Sequence, residues 1–379
     1  MNIAIIGGGA SGCVAALRIK QNNPSFSVTI FEQNLKLLKK VSVTGNGRCN
    51  LTNQNISPDK YQNPLIIQEM LDLGYKDSAL DFFQELGLFT YTDEEGRVYP
   101  ISNQAKTVVE LLSKELFFKG VNIVTGVSVD EIKIIDDKFI IENDTFDKVV
   151  ICTGSNASVS EEGIKLLDNL PINYIPFTPA LVGFKVEENI KDLFGVRASA
   201  SVKLGSHTAK GEVMFKEDGV SGICVMDLSV FQTSGVLSFD FLDDYSMDML
   251  KLIVNRKLKN DPYVHLHNLM FGSVNNKLLS MFNKGYPNVK VSTLDEMVID
   301  SYLRQFKEFK LTISSTYSIN NAHVASGGVM LEELDMFESK SISNLYVTGE
   351  STNQVGLCGG YNLWYAFTSG LIVADKICK

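Results

Sequence analysis

The sequence predicts an α/β fold in which a parallel sheet flanked by helices is interrupted by an inserted β-rich segment with helices of its own. Three observations lead to this fold class. An apolar run at residues 2–6 opens directly into a glycine-rich turn and an apolar helix pattern. Two later apolar runs have the pattern of buried parallel strands, and each is followed by a Thr-Gly pair, at residues 153–154 and 348–349. Between them, residues 183–241 alternate apolar and polar side chains, and residues 246–309 change to helical spacing.

The N-terminus has the pattern of a strand, a turn, a helix and a second strand. Asn2–Ile6 (NIAII) is apolar and β-branched, and Gly7–Gly12 (GGGASG) fits the G-x-G-x-x-G turn that follows such a strand. Apolar residues from Val14 onward form one face of a helix. Ser27–Phe31 is the second strand, and Glu32 ends it about 20 residues after the last glycine. This spacing predicts a Rossmann-type dinucleotide-binding unit.

Each position of this unit has a physical role. Gly7 permits the tight turn, Gly9 lets the backbone approach a pyrophosphate, and Gly12 lets the helix pack against the strand. The first helical N–H groups, at Ala10–Ser11, offer partial positive charge to phosphates. Glu32 is expected to accept hydrogen bonds from both ribose hydroxyls. An acid at this place disfavours a 2′-phosphate, so the expected ligand is FAD or NAD rather than NADP.

Two later strand ends favour FAD over NAD. Lys148–Cys152 (KVVIC) is an apolar strand that leads into Thr153 and Gly154, and Asn344–Val347 leads into Gly349 and Glu350. Both ends are similar to those of flavoproteins of the glutathione-reductase type, where they close on the nucleotide and hold the ribityl and pyrophosphate groups. The alternative for each is an ordinary strand end followed by turn residues.

The C-terminus predicts a helix that begins at Tyr361, directly after Gly359 and Gly360. Apolar residues from Leu363 to Ala374 recur at helical spacing and form one face. Its free N–H groups would point at whatever lies beyond Gly360. In FAD proteins of this topology, that object is the pyrimidine end of the isoalloxazine. The alternative is a helix that only docks on the core.

With these motifs, the chain resembles the bacterial FAD-dependent oxidoreductase family that includes aminoacetone oxidase and the BaiN-like flavoproteins. The resemblance covers essentially the whole chain. Four segments carry it: Gly7–Gly12, Thr44–Asn53 (TGNGRCNLTN), Gly327–Glu350 and Gly359–Gly370. The GNGRCN-x-T-N and GGYN elements are specific to the family, whereas the first glycine motif is not.

The resemblance implies that the Thr44–Asn53 loop crosses the FAD near its pyrophosphate and isoalloxazine. Gly45 and Gly47 would let the backbone pass close to the cofactor, and Arg48 would offer a fork of donors to a phosphate or substrate carboxylate. Asn50 and Asn53 can bond the loop to itself. For Cys49, a packing role is favoured over a thiolate beside the flavin.

The predicted site therefore has a catalytic and a cofactor-binding part. The catalytic candidates are Arg48, Asn50, Tyr361 and Asn362. The candidates for FAD binding are Gly7, Gly9, Ala10, Ser11, Gly12, Glu32, Gly45, Gly47, Arg48, Cys49, Val127, Thr153, Gly154, Gly349, Glu350, Gly359, Gly360, Tyr361 and Asn362. His323 is a further candidate to approach the flavin. Lys36, Lys39 and Lys40 are predicted to form a solvated basic face.

The chain also departs from the family pattern at positions expected to face the substrate. Lys216 and Glu217 stand where Thr-His is expected, and Ile223 stands where proline is expected. Asn353 and Val355 replace aspartates, and Ala325 replaces a common threonine. These differences predict a substrate of its own.

The domain organisation follows from the change of pattern along the chain. Residues 1–182 and 318–379 are predicted to form the FAD-binding domain, and residues 183–244 and 310–317 a β-barrel-like insert. Residues 245–309 are predicted to be a helical subdomain carried by that insert.

Composition restricts the partners and the compartment. A formal net charge of −9 over 379 residues argues against general affinity for nucleic acid. No segment approaches the roughly 18 apolar residues of a membrane span, and the scattered cysteines suit a reducing, cytoplasmic setting. His265 and His267 lack accompanying metal ligands, so no metal site is predicted. Nothing in the sequence specifies an oligomeric state.

The predicted function is an FAD-dependent oxidoreductase that transfers a hydride between a small organic substrate and N5 of non-covalently bound FAD. NAD(P)H is a candidate electron donor, although the chain has no second G-x-G-x-x-G motif for it. The sequence leaves open whether the substrate is oxidised, with oxygen as the electron acceptor, or reduced, with NAD(P)H as the electron donor. The alternatives are a flavin-binding sensor or interaction protein without turnover and a flavin-dependent RNA-modifying enzyme.

Overall fold

The computed structural model describes residues 1–157 and 166–379. These residues form two compact units, Met1–Thr178 with His323–Lys379 and Pro179–Ala322. The first unit contains a largely parallel sheet with helices, and the second contains a closed barrel with helices. The predicted α/β class with a barrel insert is confirmed. The three-part division into domains remains a prediction.

The N-terminal part of the first unit alternates strands and helices. Its strands are β1 (Asn2–Ile6), β2 (Ser27–Glu32), β3 (Thr52–Asn53), β4 (Thr90–Thr92), β5 (Arg97–Pro100), β6 (Asn122–Thr125), β7 (Lys133–Ile135), β8 (Lys138–Ile141), β9 (Asp144–Phe146) and β10 (Lys148–Ile151). Its helices are α1 (Ala10–Asn22), the single turn α2 (Thr44–Gly47), α3 (Pro64–Asp72), α4 (Ser78–Glu85) and α5 (Ala105–Phe118).

The middle of the chain begins with β11 (Tyr174–Ala180) and then supplies the barrel strands and a group of helices. The strands are β12 (Phe184–Val186), β13 (Arg197–Leu204), β14 (His207–Phe215), β15 (Gly219–Ser221), β16 (Gly235–Asp240) and β17 (Phe309–Thr316). The helices are α6 (Ile223–Leu228), α7 (Met247–Asn260), α8 (Leu266–Leu269), α9 (Asn276–Asn283) and α10 (Glu296–Lys307). The chain then returns to the first unit with β18 (Val324–Val329), β19 (Leu334–Asp335), β20 (Glu338–Ser339), β21 (Leu345–Val347) and α11 (Tyr361–Ile377).

The main sheet of the first unit has the strand order β19-β20-β21-β10-β1-β2-β6. The strands from β21 to β6 pair in parallel, whereas β19 and β20 form an antiparallel edge. Smaller sheets, β3-β5-β4, β7-β8-β9 and β11-β18, complete the unit. Because neighbouring parallel strands point the same way, the carboxyl ends of β21, β10, β1, β2 and β6 meet at one edge.

Both faces of this sheet are covered, which explains the continuous apolar run of β1. Ile3 and Ile5 pack into the core formed with α1, α5 and α11. Ala4 and Ile6 face a second core on the opposite side. Successive strand residues alternate between these cores because the side-chain period of a strand is two.

Small residues allow α1 to pack closely on its neighbours. A Cβ added to Gly12 would lie 2.1 Å from the Gly7 carbonyl oxygen and 3.1 Å from Ile5. On the side facing α11, a Cβ added to Gly370 would lie 2.5 Å from the Ser11 carbonyl oxygen. Larger side chains at Gly12 and Gly370 would therefore force backbone segments apart.

The second unit is built on a closed barrel with the strand order β12-β15-β14-β13-β16-β17. All pairings within it are antiparallel. Val202 and Phe239 of the barrel share one apolar core with Leu250, Phe282 and Phe306 of the helices. The alternating segments predicted as strands and the helical spacing after residue 246 are thus both found.

Candidate functional site

The candidate site lies at the carboxyl edge of the parallel strands. Gly7 follows β1, Glu32 ends β2, Val127 follows β6, Cys152 follows β10 and Thr348 follows β21. Backbone hydrogen bonds join these ends, from Gly7 N–H to Phe31 (2.8 Å), Cys152 N–H to Ile6 (2.9 Å) and Thr348 N–H to Ile151 (2.9 Å). Five strand ends therefore converge on one edge, and ligands of open α/β sheets bind at such an edge.

The glycine turn after β1 forms a cradle. Gly7 has φ +113°, and a Cβ there would lie 2.3 Å from the Cys152 carbonyl oxygen. At Gly9, by contrast, a Cβ would meet nothing within 4 Å among the described residues. Gly9 is also the N-cap of α1, which has no side-chain cap. Open space in front of uncapped helical N–H groups suits a phosphate, so these residues fit the diphosphate of a dinucleotide.

Glu32 is buried and its carboxylate is already held by the chain. Its Oε2 accepts from Gly8 N–H at 2.8 Å, and its Oε1 accepts from the backbone N–H and the side-chain amide of Asn34 at 2.8 Å and 2.6 Å. A carboxylate has about four acceptor positions, so roughly one is left. Two ribose hydroxyls would have to displace the Asn34 side chain. Val127 lies beside this point because its N–H donates to the Glu32 carbonyl at 3.1 Å.

Ser351, which sequence reasoning missed, joins two of the predicted strand ends. Its Oγ accepts from Gly154 N–H at 2.9 Å and lies 3.3 Å from Thr153 Oγ1. Ser11 Oγ lies 2.6 Å from Thr348 Oγ1 in a buried pair. The hydroxyl of Ser11 is therefore engaged within the chain, and its predicted role toward the cofactor falls to its backbone N–H.

Glu350 carries a network that corrects one prediction. Its Oε2 forms an ion pair with Lys40 Nζ at 2.6 Å, and its Oε1 accepts from Ser155 Oγ (2.7 Å) and Ala325 N–H (3.0 Å). The solvated-face prediction is thus wrong for Lys40, which is partly buried and paired. Partial burial and the nearby Lys40 charge also lower the pKa of His323 below its ordinary value. Nothing in the sequence distinguishes Lys40 from Lys36 and Lys39, so this ion pair could not be predicted.

The composition of the Thr44–Asn53 loop follows from its backbone. Gly45, Asn46 and Gly47 have φ of +56°, +55° and +79°, so α2 is one left-handed turn. Glycine and asparagine adopt this conformation most readily, which explains the TGNG sequence. Cys49 ends the turn fully buried, and burial raises the pKa of its thiol to about 12. Burial of this thiol favours the packing role, and both the packing role and the thiolate alternative for Cys49 stay predictions.

Arg48 is held over an aromatic ring. Its guanidinium carbon lies 4.5 Å from the centre of the Tyr99 ring, and its Nε donates to the Gly45 carbonyl at 3.3 Å. A stacked guanidinium keeps donors at its edge for a phosphate or carboxylate. Tyr99 lies in β5, far from Arg48 in sequence, so no local pattern indicates this pair.

The start of α11 is held by hydrogen bonds from β3 and from Tyr61. Asn53 Nδ2 donates to the Gly359 carbonyl at 2.9 Å, and the Tyr61 hydroxyl donates to the Tyr361 carbonyl at 3.0 Å. Gly360 has φ +101°, and a Cβ there would lie 2.5 Å from the Thr52 carbonyl oxygen. Gly360 is thus required by close approach, and Gly359 by its φ of +119°, a conformation that favours glycine.

Two of the catalytic candidates at this place differ in what they offer. Asn362 donates both amide protons, to Gly356 and Leu357, and its Oδ1 accepts from Gly356 N–H at 2.8 Å. Its side chain therefore positions the preceding loop, and a catalytic use would require it to release these bonds. Asn50, expected to bond its own loop, has a buried Oδ1 with no hydrogen-bond partner among the described residues.

The described residues offer no set of side chains for a metal site. Within residues 1–157 and 166–379, no group of three or more His, Cys, Asp or Glu side chains could hold a metal ion. His267 of the predicted His-x-His pair instead donates through Nε2 to the Tyr286 carbonyl at 2.9 Å. No helix in the same part of the chain is long and apolar enough to cross a membrane.

Known proteins are similar to this chain along nearly its whole length. The family described as "HI0933-like protein Rossmann domain" matches residues 1–376. A 3-dehydro-bile acid delta(4,6)-reductase of Clostridium scindens is 35% identical, over 98% of this chain and 97% of that protein. The ribosomal RNA dihydrouridine synthases of Haemophilus influenzae and Escherichia coli are 23% and 24% identical. These alignments cover 99% and 98% of this chain and 98% and 97% of the respective synthases.

These matches confirm the family that the four motifs predicted, the Rossmann-type fold and the class of FAD-dependent oxidoreductases. The expectation against nucleic acid stays a prediction, because two relatives are named for ribosomal RNA. The individual FAD-binding and catalytic residues also stay predictions.

Proposed function

Because the chain belongs to the HI0933-like family, we propose that it uses non-covalently bound FAD to reduce a small organic substrate. The observation that carries the proposal is the cradle at the carboxyl edge of the sheet. There, the space in front of Gly9 is open to 4 Å while the Cβ positions of Gly7 and Gly12 are blocked by backbone. A turn in which backbone blocks a side chain at Gly7 and Gly12, but leaves the space at Gly9 open, suits a diphosphate that approaches the start of α1.

When bound, FAD supplies the redox chemistry, the exchange of a hydride between flavin N5 and a carbon of the substrate. The chain would hold it at three places. The N–H groups of Gly9–Gly12 would bind the diphosphate, Glu32 would bind the adenosine ribose, and Thr153–Gly154 with Gly349 would flank the middle of the cofactor. The Thr44–Asn53 loop and the start of α11 would contact the remaining end. Arg48, stacked on Tyr99, is the side chain best placed by its chemistry to bind an anionic group there.

The direction of reaction is proposed from the relative with 35% identity, which is named as a reductase. We propose NADH or NADPH as the electron donor, bound without a second glycine-rich motif. Lys216, Glu217, Ile223, Asn353 and Val355 differ from the family pattern, so the relative's own substrate is not carried over. The proposed substrate class is a small organic molecule with a reducible double bond.

Two measurements on the purified protein test this proposal. Acid precipitation should release FAD into the supernatant, identified by chromatography, and recovery of FMN, NAD or no nucleotide would contradict it. Anaerobic mixing with NADH or NADPH should then bleach the visible flavin absorbance. Bleaching by neither nucleotide would contradict the reductase direction and favour an oxidase or a flavin-binding sensor.

Ribosomal RNA is a second candidate substrate, favoured by the two dihydrouridine synthases that align with nearly the whole chain. The net charge of −9 counts against it, since affinity for RNA rests on neutralising phosphates with basic residues. Incubation of the reduced protein with unmodified ribosomal RNA, followed by nucleoside analysis for dihydrouridine, decides between them. Dihydrouridine formed at a defined position would overturn the small-molecule proposal.

A further inference from the structure

One lysine in the turn between β14 and β15 of the barrel has no acidic partner. Lys216 is partly buried, and its Nζ lies 4.3 Å from the centre of the Tyr317 ring. Within residues 1–157 and 166–379, this ammonium group forms no ion pair and donates no hydrogen bond, yet Nζ is reachable from solvent. An ammonium group has three N–H donors, so those that do not face the ring are open to a ligand.

The ring beneath this lysine is fixed by the barrel. Tyr317 follows β17, and its N–H donates to the Gly183 carbonyl at 3.0 Å. Its hydroxyl donates to Asp218 Oδ1 at 2.6 Å and packs on Gly219, where an ideal Cβ would lie 2.8 Å from the hydroxyl oxygen. The turn that carries Lys216 is closed by its own N–H, which donates to the Gly219 carbonyl at 2.7 Å. The ring and the backbone of the lysine are therefore held at a constant separation.

A second lysine approaches the same ring. Lys185 Nζ lies 5.6 Å from the centre of the Tyr317 ring and 3.0 Å from Asp218 Oδ2. Glu217, the other acid of the turn, is paired with Lys191 at 3.3 Å. The two lysines at the ring therefore share one carboxylate, which leaves an excess of one positive charge. Such an excess, held in place by strands, favours an anionic ligand.

The chemistry of the cluster favours a phosphate over a carboxylate. An arginine fork matches the plane of a carboxylate, whereas a lysine acts as a point charge and suits a tetrahedral phosphate. The cations at this ring are lysines. We propose that Lys216 and Lys185 bind the phosphate group of a small-molecule ligand. This inference rests on the proposed function, because NADPH as the electron donor carries such a group, its 2′-phosphate. A phosphorylated substrate is the other source.

Calorimetric titration of the FAD-loaded protein with NADP⁺ and with NAD⁺ tests the first source. These nucleotides differ by the 2′-phosphate alone, and their oxidised forms cannot reduce the flavin. Wild type should bind NADP⁺ about 5- to 20-fold more tightly, as expected for a partly exposed contact between a lysine and a phosphate. Lys216→Met keeps the apolar stem over the ring and removes the charge, so its two dissociation constants should agree within about twofold. Lys216→Arg keeps the charge and should retain the preference.

Phosphorus nuclear magnetic resonance tests the site without any nucleotide. Inorganic phosphate at about pH 8, where it is mostly a dianion, should give a broadened signal with wild type that saturates as the phosphate concentration rises. The broadening should be lost in Lys216→Met. If wild type broadens the signal but binds NADP⁺ and NAD⁺ alike, the site is confirmed and its source is a phosphorylated substrate.

Two variants control for net charge and for the second lysine. Lys203→Met removes one charge from β13 of the same barrel, where Lys203 is exposed and also forms no ion pair among the described residues, and it should bind as wild type does. Asp218→Asn removes the acid that competes for Lys185, so it should bind the phosphate-bearing ligand about 3- to 10-fold more tightly. No gain in Asp218→Asn would overturn the role of Lys185.

The outcomes separate this proposal from the one beneath it. If neither NADH nor NADPH bleaches the flavin, the reductase direction fails, while the signal of inorganic phosphate still decides whether the site exists. If the flavin is bleached but wild type shows neither a preference for NADP⁺ nor a phosphate signal that depends on Lys216, only this inference is overturned. The same conclusion follows if Lys203→Met loses as much affinity as Lys216→Met, because net charge would then explain both.

Discussion

We expect Gly9→Ala to leave the fold intact and to weaken FAD binding. Gly9 has φ −84° and ψ −163°, an extended conformation that alanine adopts without strain. The added Cβ would meet no atom of residues 1–157 or 166–379 within 4 Å. Replacing glycine by alanine at a compatible position changes the free energy of unfolding by about 0.4–1 kcal/mol in the stabilising direction. The apoprotein should therefore melt at the same temperature as wild type or slightly above it.

The same methyl group would occupy the space through which a diphosphate approaches the start of α1. Loss of one charge-assisted hydrogen bond to a phosphate costs about 1.5–3 kcal/mol, which corresponds to roughly a 10- to 150-fold higher dissociation constant. Titration of apoprotein with FAD, followed by the quenching of flavin fluorescence, measures this change. Differential scanning calorimetry on the apoprotein measures the melting temperature.

Two matched variants complete the experiment. Gly285→Ala also adds a Cβ that meets nothing within 4 Å at a residue without positive φ, but it lies in the second unit. It should bind FAD as wild type does. Gly12→Ala places a Cβ 2.1 Å from the Gly7 carbonyl oxygen, so it should lower the melting temperature. Unchanged FAD affinity in Gly9→Ala would show that the diphosphate lies elsewhere and would refute the reasoning.

Four further predictions address the rest of the site. Glu32→Ala should weaken FAD binding by about 1.5–3 kcal/mol without unfolding the chain, and an unchanged titration would place the ribose elsewhere. Arg48→Ala should alter turnover or the flavin reduction potential while costing only about 0.5–1 kcal/mol of stability from the lost stacking on Tyr99. A normal flavin spectrum, reduction potential and rate in that variant would show that the Thr44–Asn53 loop is a surface turn without a role toward the cofactor. Cys49 should resist iodoacetamide in the native protein, because its thiol is buried with a raised pKa, and should react once the protein is unfolded; rapid native labelling, seen by mass spectrometry, would contradict this. Because the pKa of folded His323 lies below its ordinary 6.5, the unfolded chain binds more protons and stability falls as the pH drops through and below that value. The melting temperature of His323→Gln should therefore fall less than that of wild type between about pH 8 and about pH 5, and parallel curves would refute the assignment.

Much of the fold was predictable because its signals are local. The strand Asn2–Ile6 has the predicted ends, and α11 begins at the predicted Tyr361, since an apolar run before glycines and an apolar stripe after glycines specify these boundaries. The same holds for the Gly7–Gly12 turn. The blocked Cβ positions at Gly7 and Gly12 explain why glycine is needed there.

The site was predictable only in outline. The motifs located the segments that converge on the strand edge. They did not show which side chains form hydrogen bonds within the protein and are therefore not available to a ligand. Ser11 is paired with Thr348, and Asn362 is bonded to the loop before it. Conversely, Lys40 was assigned to solvent although it forms an ion pair with Glu350. A residue's type shows which bonds it can make, not which neighbour will make them.

The sequence by itself determined the strands and helices next to the glycine motifs, the glycine turn after β1 and the family, because each depends on residues close together in the chain. The tertiary structure alone decided which distant groups meet. Lys40 and Glu350 are 310 residues apart, and Asn53 and Gly359 are 306 apart. Asn50 Oδ1 is buried with no hydrogen-bond partner among the residues that the structure describes. Such pairings leave no periodic trace in the sequence, since they arise only when packing of the sheet and its helices brings the strand ends together.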